Sequence, residues 1–314
     1  MRYNGLAIER AASLRNSMTE AEFGARAPNR FDRSIMAMTS RMPDNWAGLK
    51  LAMALRKFVT MRMAPDGALD VERWGLRLRL HPRDNGCEKN LLFTPQFYEP
   101  EEQAALAEAI AGANAAGRPF VFIDIGANVG LFSLFVAATA RSARIIAIEP
   151  EPGNFERLRF NVDANRGLPI KALALALGDR DGEVAIVLNR RDRGGTRVGP
   201  AGAAGAVTVR CRPLVDLVRD EKLAAIDALK IDVEGAEDKV LAPYFRDAPP
   251  SLWPSLIVIE DSRAEWSVDL FALLAAKGYA VAARSRQNVM LRRPQSTIGT
   301  GATTAISSAE MAQR

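Results

Sequence analysis

Three short segments of the chain bring glycines and carboxylates together at spacings that can do chemistry. In Asp124-Ile125-Gly126-Ala127-Asn128-Val129-Gly130 an apolar run ends in a tight glycine turn that opens a helix. A ligand can meet bare backbone N–H groups at such a turn. A dinucleotide fingerprint would read G-x-G-x-x-G, whereas this chain has Gly126-x-x-x-Gly130 with a carboxylate two positions before the first glycine. The charge of Asp124 repels a pyrophosphate and attracts a cation, which suits the ammonium and sulfonium of S-adenosylmethionine better than NAD. Nineteen residues beyond Gly130, Ile148-Glu149-Pro150 sets an acid at about the offset where doubly wound folds grip a ribose diol. The third segment, Leu229-Lys230-Ile231-Asp232-Val233-Glu234-Gly235-Ala236-Glu237, closes a strand with Asp232, where open parallel sheets place their ligand crevice. Glu234 and Glu237 can share one face of the first helical turn, serving either chemistry or the helix N-terminus.

Composition narrows the classes. The chain has 314 residues, 48% hydrophobic and 25% charged, ample for a core and without disordered bias. A net charge of +5 is too small for its length to indicate nucleic-acid binding. Two cysteines, Cys87 and Cys211, exclude a disulfide framework or a four-cysteine zinc site and point to a reducing compartment. The single histidine, His81, excludes a multi-histidine metal centre. The charged first thirty residues contain no apolar leader core, and the most apolar stretch, 131–140, is too short to span a bilayer. A cytoplasmic protein with no transmembrane segment is expected.

The elements that must position these residues follow from periodicity. Residues 1–43 lack it and predict loose order. Asp44 can cap a helix through Trp46, Leu49, Met53, Leu55, Phe58 and Val59, stopped by Pro65-Asp66-Gly67. With Lys50, Arg56, Lys57 and Arg62 it can be a basic membrane-surface helix. Its apolar residues are not confined to one face, which favours packing on the main domain. Residues 74–81 alternate, with Leu76, Leu78 and Leu80 facing inward and Arg77, Arg79 and His81 on a solvated face. Pro100 opens a helix with Leu106 and Ile110 inward. From 119 onward the pattern is strand–helix–strand. Core strands are expected at 120–125, 145–148, 170–177, 226–232 and 255–260, with helices at 130–140, 155–165 and from about 235. Residues 183–188 and 207–211 can pair across a glycine-rich loop. Ser267 is expected to cap a helix closed by Gly278, and strands at 279–283 and 288–291 form an antiparallel edge. The class is therefore α/β, a mostly parallel sheet with helices on both faces. The division reads 1–70 as a partly helical N-terminal extension, 71–118 as a lead-in strand and helix, 119–293 as the main domain, and 294–314 as a disordered tail.

D-I-G-A-N-V-G, I-E-P and K-I-D-V-E-G-A-E in this order resemble the signature of the FkbM-type S-adenosylmethionine-dependent methyltransferases. Tyr98-Glu99, the run from Leu177-Gly178-Asp179 to Gly182-Glu183, and Gly278-Tyr279 fit the same family, over roughly residues 72–293. The resemblance implies a Rossmann-like seven-stranded sheet with an antiparallel last strand, S-adenosylmethionine as cofactor, and methylation of hydroxyls, often on sugars, glycans or polyketides. It also implies that Asp124, Gly126, Asn128 and Gly130, with Ala127 among them, line the methionine end. Glu149, followed by Pro150, would hold the ribose, Gly178-Asp179 would lie by the adenine, and Asp232 by the methyl group. The chain departs from many relatives in reading Glu260-Asp261-Ser262 where they carry a carboxylate and then a histidine.

A hydroxyl that attacks a methyl group must lose its proton, and with one histidine in the chain the base is expected to be a carboxylate. Asp232 is the first choice, with Glu234 and Glu237 next. A divalent metal on Asp232, Glu260 and Asp261 is an alternative that nothing specific indicates. Nucleic-acid N-methylation is disfavoured by the acidic Asp232-Val233-Glu234-Gly235, where an Asn/Asp-Pro-Pro-aromatic run is usual. Cys211, between Arg210 and Arg212, could be a low-pKa nucleophile but lies on a peripheral strand. A nicotinamide-linked oxidoreductase lacks its middle glycine. The expected partner is a small-molecule or glycan acceptor and not nucleic acid. That acceptor is anionic if Arg190, Arg191, Arg193 and Arg197 of the 190–206 loop close over it, and unconstrained if the loop is simply solvated.

Overall fold

In chain order, helices α1 (Arg30–Thr39) and α2 (Trp46–Arg62) lead into the hairpin β1 (Leu69–Arg73) and β2 (Leu76–Leu80), then α3 (Gly86–Phe93) and α4 (Pro100–Ala115). The main body follows with β3 (Phe120–Ile125), α5 (Leu131–Thr139), β4 (Ala143–Ile148), α6 (Pro152–Asp163), β5 (Ile170–Leu173), β6 (Ala176–Gly178) and β7 (Gly182–Val187). It continues through β8 (Arg197–Val198), β9 (Ala206–Pro213), α7 (Leu214–Asp220), β10 (Ala228–Ile231) and α8 (Glu237–Asp247). The chain closes with β11 (Leu256–Glu260), α9 (Leu270–Ala276), β12 (Ala280–Arg284) and β13 (Asn288–Arg292). This computed structural model describes residues 21–64, 67–189, 193–200 and 202–294. The expectations for residues 1–20, Pro65-Asp66, Arg190, Arg191 and the tail from 295 lie outside the described residues.

The central sheet has seven strands in the order β12-β13-β11-β10-β3-β4-β5. Every neighbouring pair is parallel except those made by β13, which runs antiparallel to both β11 and β12. The edge strands are therefore β12 and β5, and the antiparallel strand β13 lies inside the sheet. Alternation along β3 explains the layers: Phe120 and Phe122 pack with Leu106 of α4 and Leu134 of α5. On the opposite face Ile123 and Ile125 pack with Leu217 of α7, Val240 of α8 and Leu274 of α9. A strand buried on both faces needs a nearly continuous apolar run, and 120–125 supplies one.

Several local expectations change in the fold. The 1–43 region contains a helix, α1, because Asn29 caps it by accepting the Asp32 N–H at 2.9 Å. Asn45 rather than Asp44 caps α2, accepting from Gly48 at 2.8 Å. Asp269 rather than Ser267 caps α9, while the Ser267 hydroxyl donates to Asp238 at 2.6 Å. The run 170–177 splits, since β5 stays in the main sheet whereas β6 joins β9 in a second sheet ordered β6-β9-β7-β8. The expected hairpin forms as β7 against β9, from Gly182↔Cys211 to Val187↔Ala206. Cys211 is buried there, and burial, with the charges of Asp179 and Asp181, pushes its thiol up against the pull of Arg180.

The polar face of β2 is solvated only in part: Arg77 is exposed, but Arg79 is not. Arg79 is 1% exposed, bonds Asp70 through Nε at 2.7 Å, and lies 4.0 Å over the Phe160 ring of α6. It also donates to the carbonyls of Ala21 and Glu22. The hairpin is held between α6 and the chain entering from residue 21, which together cover Arg79. No helix among the described residues is long and apolar enough to cross a membrane.

Candidate active site

The carboxyl ends of β3, β4 and β10 meet at a cavity of about 410 Å³, within the usual ligand-site range of roughly 300–1,000 Å³. Asp124, near the end of β3, is 1% exposed. Its Oδ2 accepts from the Ser133 hydroxyl at 2.7 Å and the Ser133 N–H at 3.1 Å. Its Oδ1 is buried and meets no hydrogen-bond partner among the described residues. Burial raises the Asp124 carboxyl, against the pull of Lys230 and Ser133. An unmet carboxylate oxygen in a cavity wall suits a donor or cation supplied by a ligand.

Gly126, at φ 73°, turns the chain out of β3. Asn128, at φ 52°, then donates its N–H to Glu149 Oε2 at 2.7 Å, and its side-chain oxygen accepts from Asn85 at 2.7 Å. Glu149 Oε1 accepts from the Glu151 N–H at 2.9 Å. The Glu149 carboxylate is thus aimed by two backbone donors. Burial still pushes its carboxyl up to about 8, opposed by those hydrogen bonds.

On the β10 side, Lys230 is buried within an apolar strand. Its Nζ lies 3.1 Å from Asp232 Oδ2 and 5.1 Å from the centre of the Phe132 ring. Burial works against the Lys230 charge, but Asp232, Glu99 and Asp124 override it and hold the ammonium above the ordinary lysine range. Glu99 adopts a left-handed backbone at φ 45° just before α4. Burial, partly offset by Lys230, raises its carboxyl to about 7. Asp232, Glu234 and Glu260 each offer a carboxylate oxygen within 4.8 Å of the others. Burial and then the Asp232 charge raise Glu260 to about 7. Asp261 stands apart, paired with Arg263 and Arg284.

Of the residues picked out in the sequence, Asp124, Gly126, Ala127, Asn128, Glu149, Pro150, Asp232 and Glu234 line this one cavity. Gly130 does not; it lets α5 approach α6, since a Cβ there would lie 2.4 Å from Leu158 Cδ1. The wall beside β6 is made by Leu175, Ala176 and Leu177, with Gly178 buried behind it against Cys211 and Asp179 exposed. Glu237 turns away from the cavity. Its Oε1 accepts from Val233 and Gly235 at 3.0 and 3.3 Å, and its Oε2 accepts the Trp266 N–H at 2.7 Å. It pins the loop that presents Asp232 and Glu234. His81 sits outside the cavity wall, its N–H donating to Glu88.

The sequence reading overlooked Lys230 and gave no role to Tyr98-Glu99. A lysine inside an otherwise apolar strand was the available signal. It also missed how Arg193 closes the site. Arg193 bridges Asp84 and Glu151, each at 3.2 Å, and its N–H donates to the Asp84 carbonyl at 2.8 Å. That holds Gly194, Gly195 and Thr196 against the cavity as a wall.

Residues 124–281 match the family model described as the Methyltransferase FkbM domain. The chain belongs to the FkbM methyltransferase family. Membership makes it a methyltransferase rather than an oxidoreductase, and the match spans the glycine turn, both strand-end acids and the β10 loop. It is 30% identical over 217 residues to Methyltransferase sdnD of Sordaria araneosa, covering 52% of this chain and 83% of that protein. It is 28% identical over 121 residues to the hexuronic acid methyltransferase AglP of Haloferax volcanii, covering 38% of this chain and 48% of that protein. Among solved structures, human methyltransferase 10 domain containing protein aligns with a TM-score of 0.42 at 14% identity, over 77% of this chain and 95% of that one.

Proposed function

We propose that the chain is an S-adenosylmethionine-dependent O-methyltransferase acting on a hydroxyl of a sugar, glycan or related metabolite. The observation that carries this reading is the pair of buried acids on neighbouring strand ends, Asp124 with an unmet oxygen and Glu149 with its carboxylate aimed by backbone. Asp124 suits an ammonium. Each oxygen of Glu149 keeps acceptor capacity for a ribose hydroxyl. Leu177 and Ile186 supply the apolar wall for the base, in place of Gly178-Asp179.

When bound, S-adenosylmethionine supplies an electrophilic methyl group on a sulfonium. The chain's part is to orient the acceptor and take its proton as the oxygen attacks. In this reading Asp232 takes the proton, and Glu260 beside it, raised by burial and then by the Asp232 charge, shares the cluster. Lys230 holds Asp232 in place. Glu237 is a positioning residue for their loop. The same three carboxylates could hold a divalent cation, the alternative to direct proton uptake. A sugar acceptor draws support from the relative named for hexuronic acid. Arg193 is engaged with Asp84 and Glu151, so among the described loop residues Arg197 is the arginine left exposed for an anionic acceptor.

Calorimetry with S-adenosylhomocysteine tests the reading. Binding should be micromolar, and Glu149→Ala should weaken it about ten- to a hundredfold, a charged hydrogen-bond contribution of about 1.5–3 kcal/mol. Binding of NADH without S-adenosylhomocysteine would refute it.

A further inference from the structure

Helix α2 packs with its small residues inward and its large ones outward. It buries Gly48, Ala52 and Val59 and leaves Trp46 77%, Met61 69%, Phe58 53% and Leu51 50% exposed. Among the described residues, eight of the eleven exposed large hydrophobics lie on α1 and α2. A contiguous apolar face of this kind marks an interaction site. The pair is a built unit: Phe31 of α1 meets Phe58 of α2 edge-on at 6.1 Å, and the Arg62 guanidinium lies 4.9 and 5.4 Å over the two rings.

Charge selects the occupant. Residues 30–62 hold seven arginines and lysines against Asp32 and Asp44, an excess of +5 that equals the net charge of the whole chain. Helix α2 carries no acid. Its outward stripe runs Trp46, Lys50, Met53, Lys57, Met61 at helical spacing, all exposed. Lysine is depleted in protein–protein interfaces, whereas tryptophan belongs at the headgroup level of a bilayer and lysines gain energy at an anionic one. Leucine and methionine side chains here have nothing to read on a nucleic acid.

We propose that the exposed face of α1 and α2 is a docking surface for an anionic lipid bilayer, with Trp46, Met53 and Met61 entering the interface and Lys50 and Lys57 meeting the headgroups. The surface adjoins the cavity. Helix α3 beneath it contributes Asn90 to the cavity wall, and Arg56 of α2 donates to the Asn90 side chain at 2.7 Å. Docking would set the site beside the membrane whatever acceptor it takes, so this inference does not rest on the proposed reaction.

The test uses the full chain with vesicles of phosphatidylcholine containing about one-third phosphatidylglycerol, against phosphatidylcholine alone. The protein should co-sediment with the anionic vesicles only, with a blue shift of tryptophan emission and weakening at high salt. Trp46→Ser/Met61→Ser should lose the shift and most of the binding. Lys50→Gln/Lys57→Gln should lose about 25-fold, at about fivefold per lysine near the surface. Circular dichroism confirms that each variant is folded. The proposal is overturned if the folded protein ignores anionic vesicles, or if the Trp46→Ser/Met61→Ser variant binds them equally. It is also overturned if sedimentation shows a dimer that this variant converts to monomer, which would assign the face to a second copy of the chain.

Discussion

A Cβ on Gly126 would lie 1.8 Å from the carbonyl oxygen of Asp232. The glycine turn after β3 and the loop after β10 therefore touch backbone to backbone. At φ 73° the position also disfavours any side chain. Gly126→Ala must push the two loops apart, at a cost of about 1–3 kcal/mol typical of overpacking. Thermal melts should show a lower Tm, and calorimetry a loss of S-adenosylhomocysteine affinity of more than about tenfold. Unchanged affinity would remove this turn from the binding site.

The acidic cluster gives a pH dependence with a definite sign. Burial and the Asp232 charge hold Glu260 protonated up to about pH 7, so a site that needs it ionised gains activity as pH rises. kcat/KM should climb through about pH 7 and then level off. Asp232→Asn should cut turnover by about 10²–10⁴, the usual worth of a general base. It should also move the remaining profile to lower pH, because one raising charge is gone. Turnover that survives Asp232→Asn but vanishes with a chelator would favour a bound cation over direct proton uptake.

Arg193 joins the loop after β7 to Asp84 and to Glu151 at the start of α6. Both pairs are partly solvated, so Arg193→Gln should weaken cofactor-product affinity only about two- to fivefold. The acceptor KM should change less. The opposite pattern, a raised acceptor KM with cofactor affinity intact, would mean that Arg193 meets the acceptor.

The Arg79–Asp70 pair is buried on both sides. Arg79→Met leaves a buried carboxylate without its partner and should cost about 3–5 kcal/mol in chemical denaturation. Asp70→Asn added to it should recover part of that loss. Equal stability of the single variant and the parent would show that the site opens to water.

The fold was legible where local pattern and burial coincide. The apolar run at 120–125 suited a strand covered on both faces, the segments 183–188 and 207–211 could pair as a hairpin, and both form. The site was legible for a related reason. Asp124, Glu149 and Asp232 each sit within a residue of a strand's carboxyl end, and parallel register brings such ends to one crevice. Lys230 showed only as a lysine in an apolar strand and Glu99 only as a fit to the family, and neither sign tells that the two meet. Their pairing depends on α4 arriving beside β10, from more than a hundred residues away in the chain.

Spacing and periodicity thus established the order of the elements and the strand-end acids, and the resemblance of three motifs pointed to the family. Which polar groups are buried came from tertiary contacts. Arg79 alternates like a solvated residue, yet α6 and the chain near residue 21 cover it. Trp46 reads like core, yet α2 turns it outward. Periodicity reports which face of an element a side chain occupies. What lies against that face is set by segments distant in sequence, and that contact decides whether a charge is screened, paired or raised in pKa.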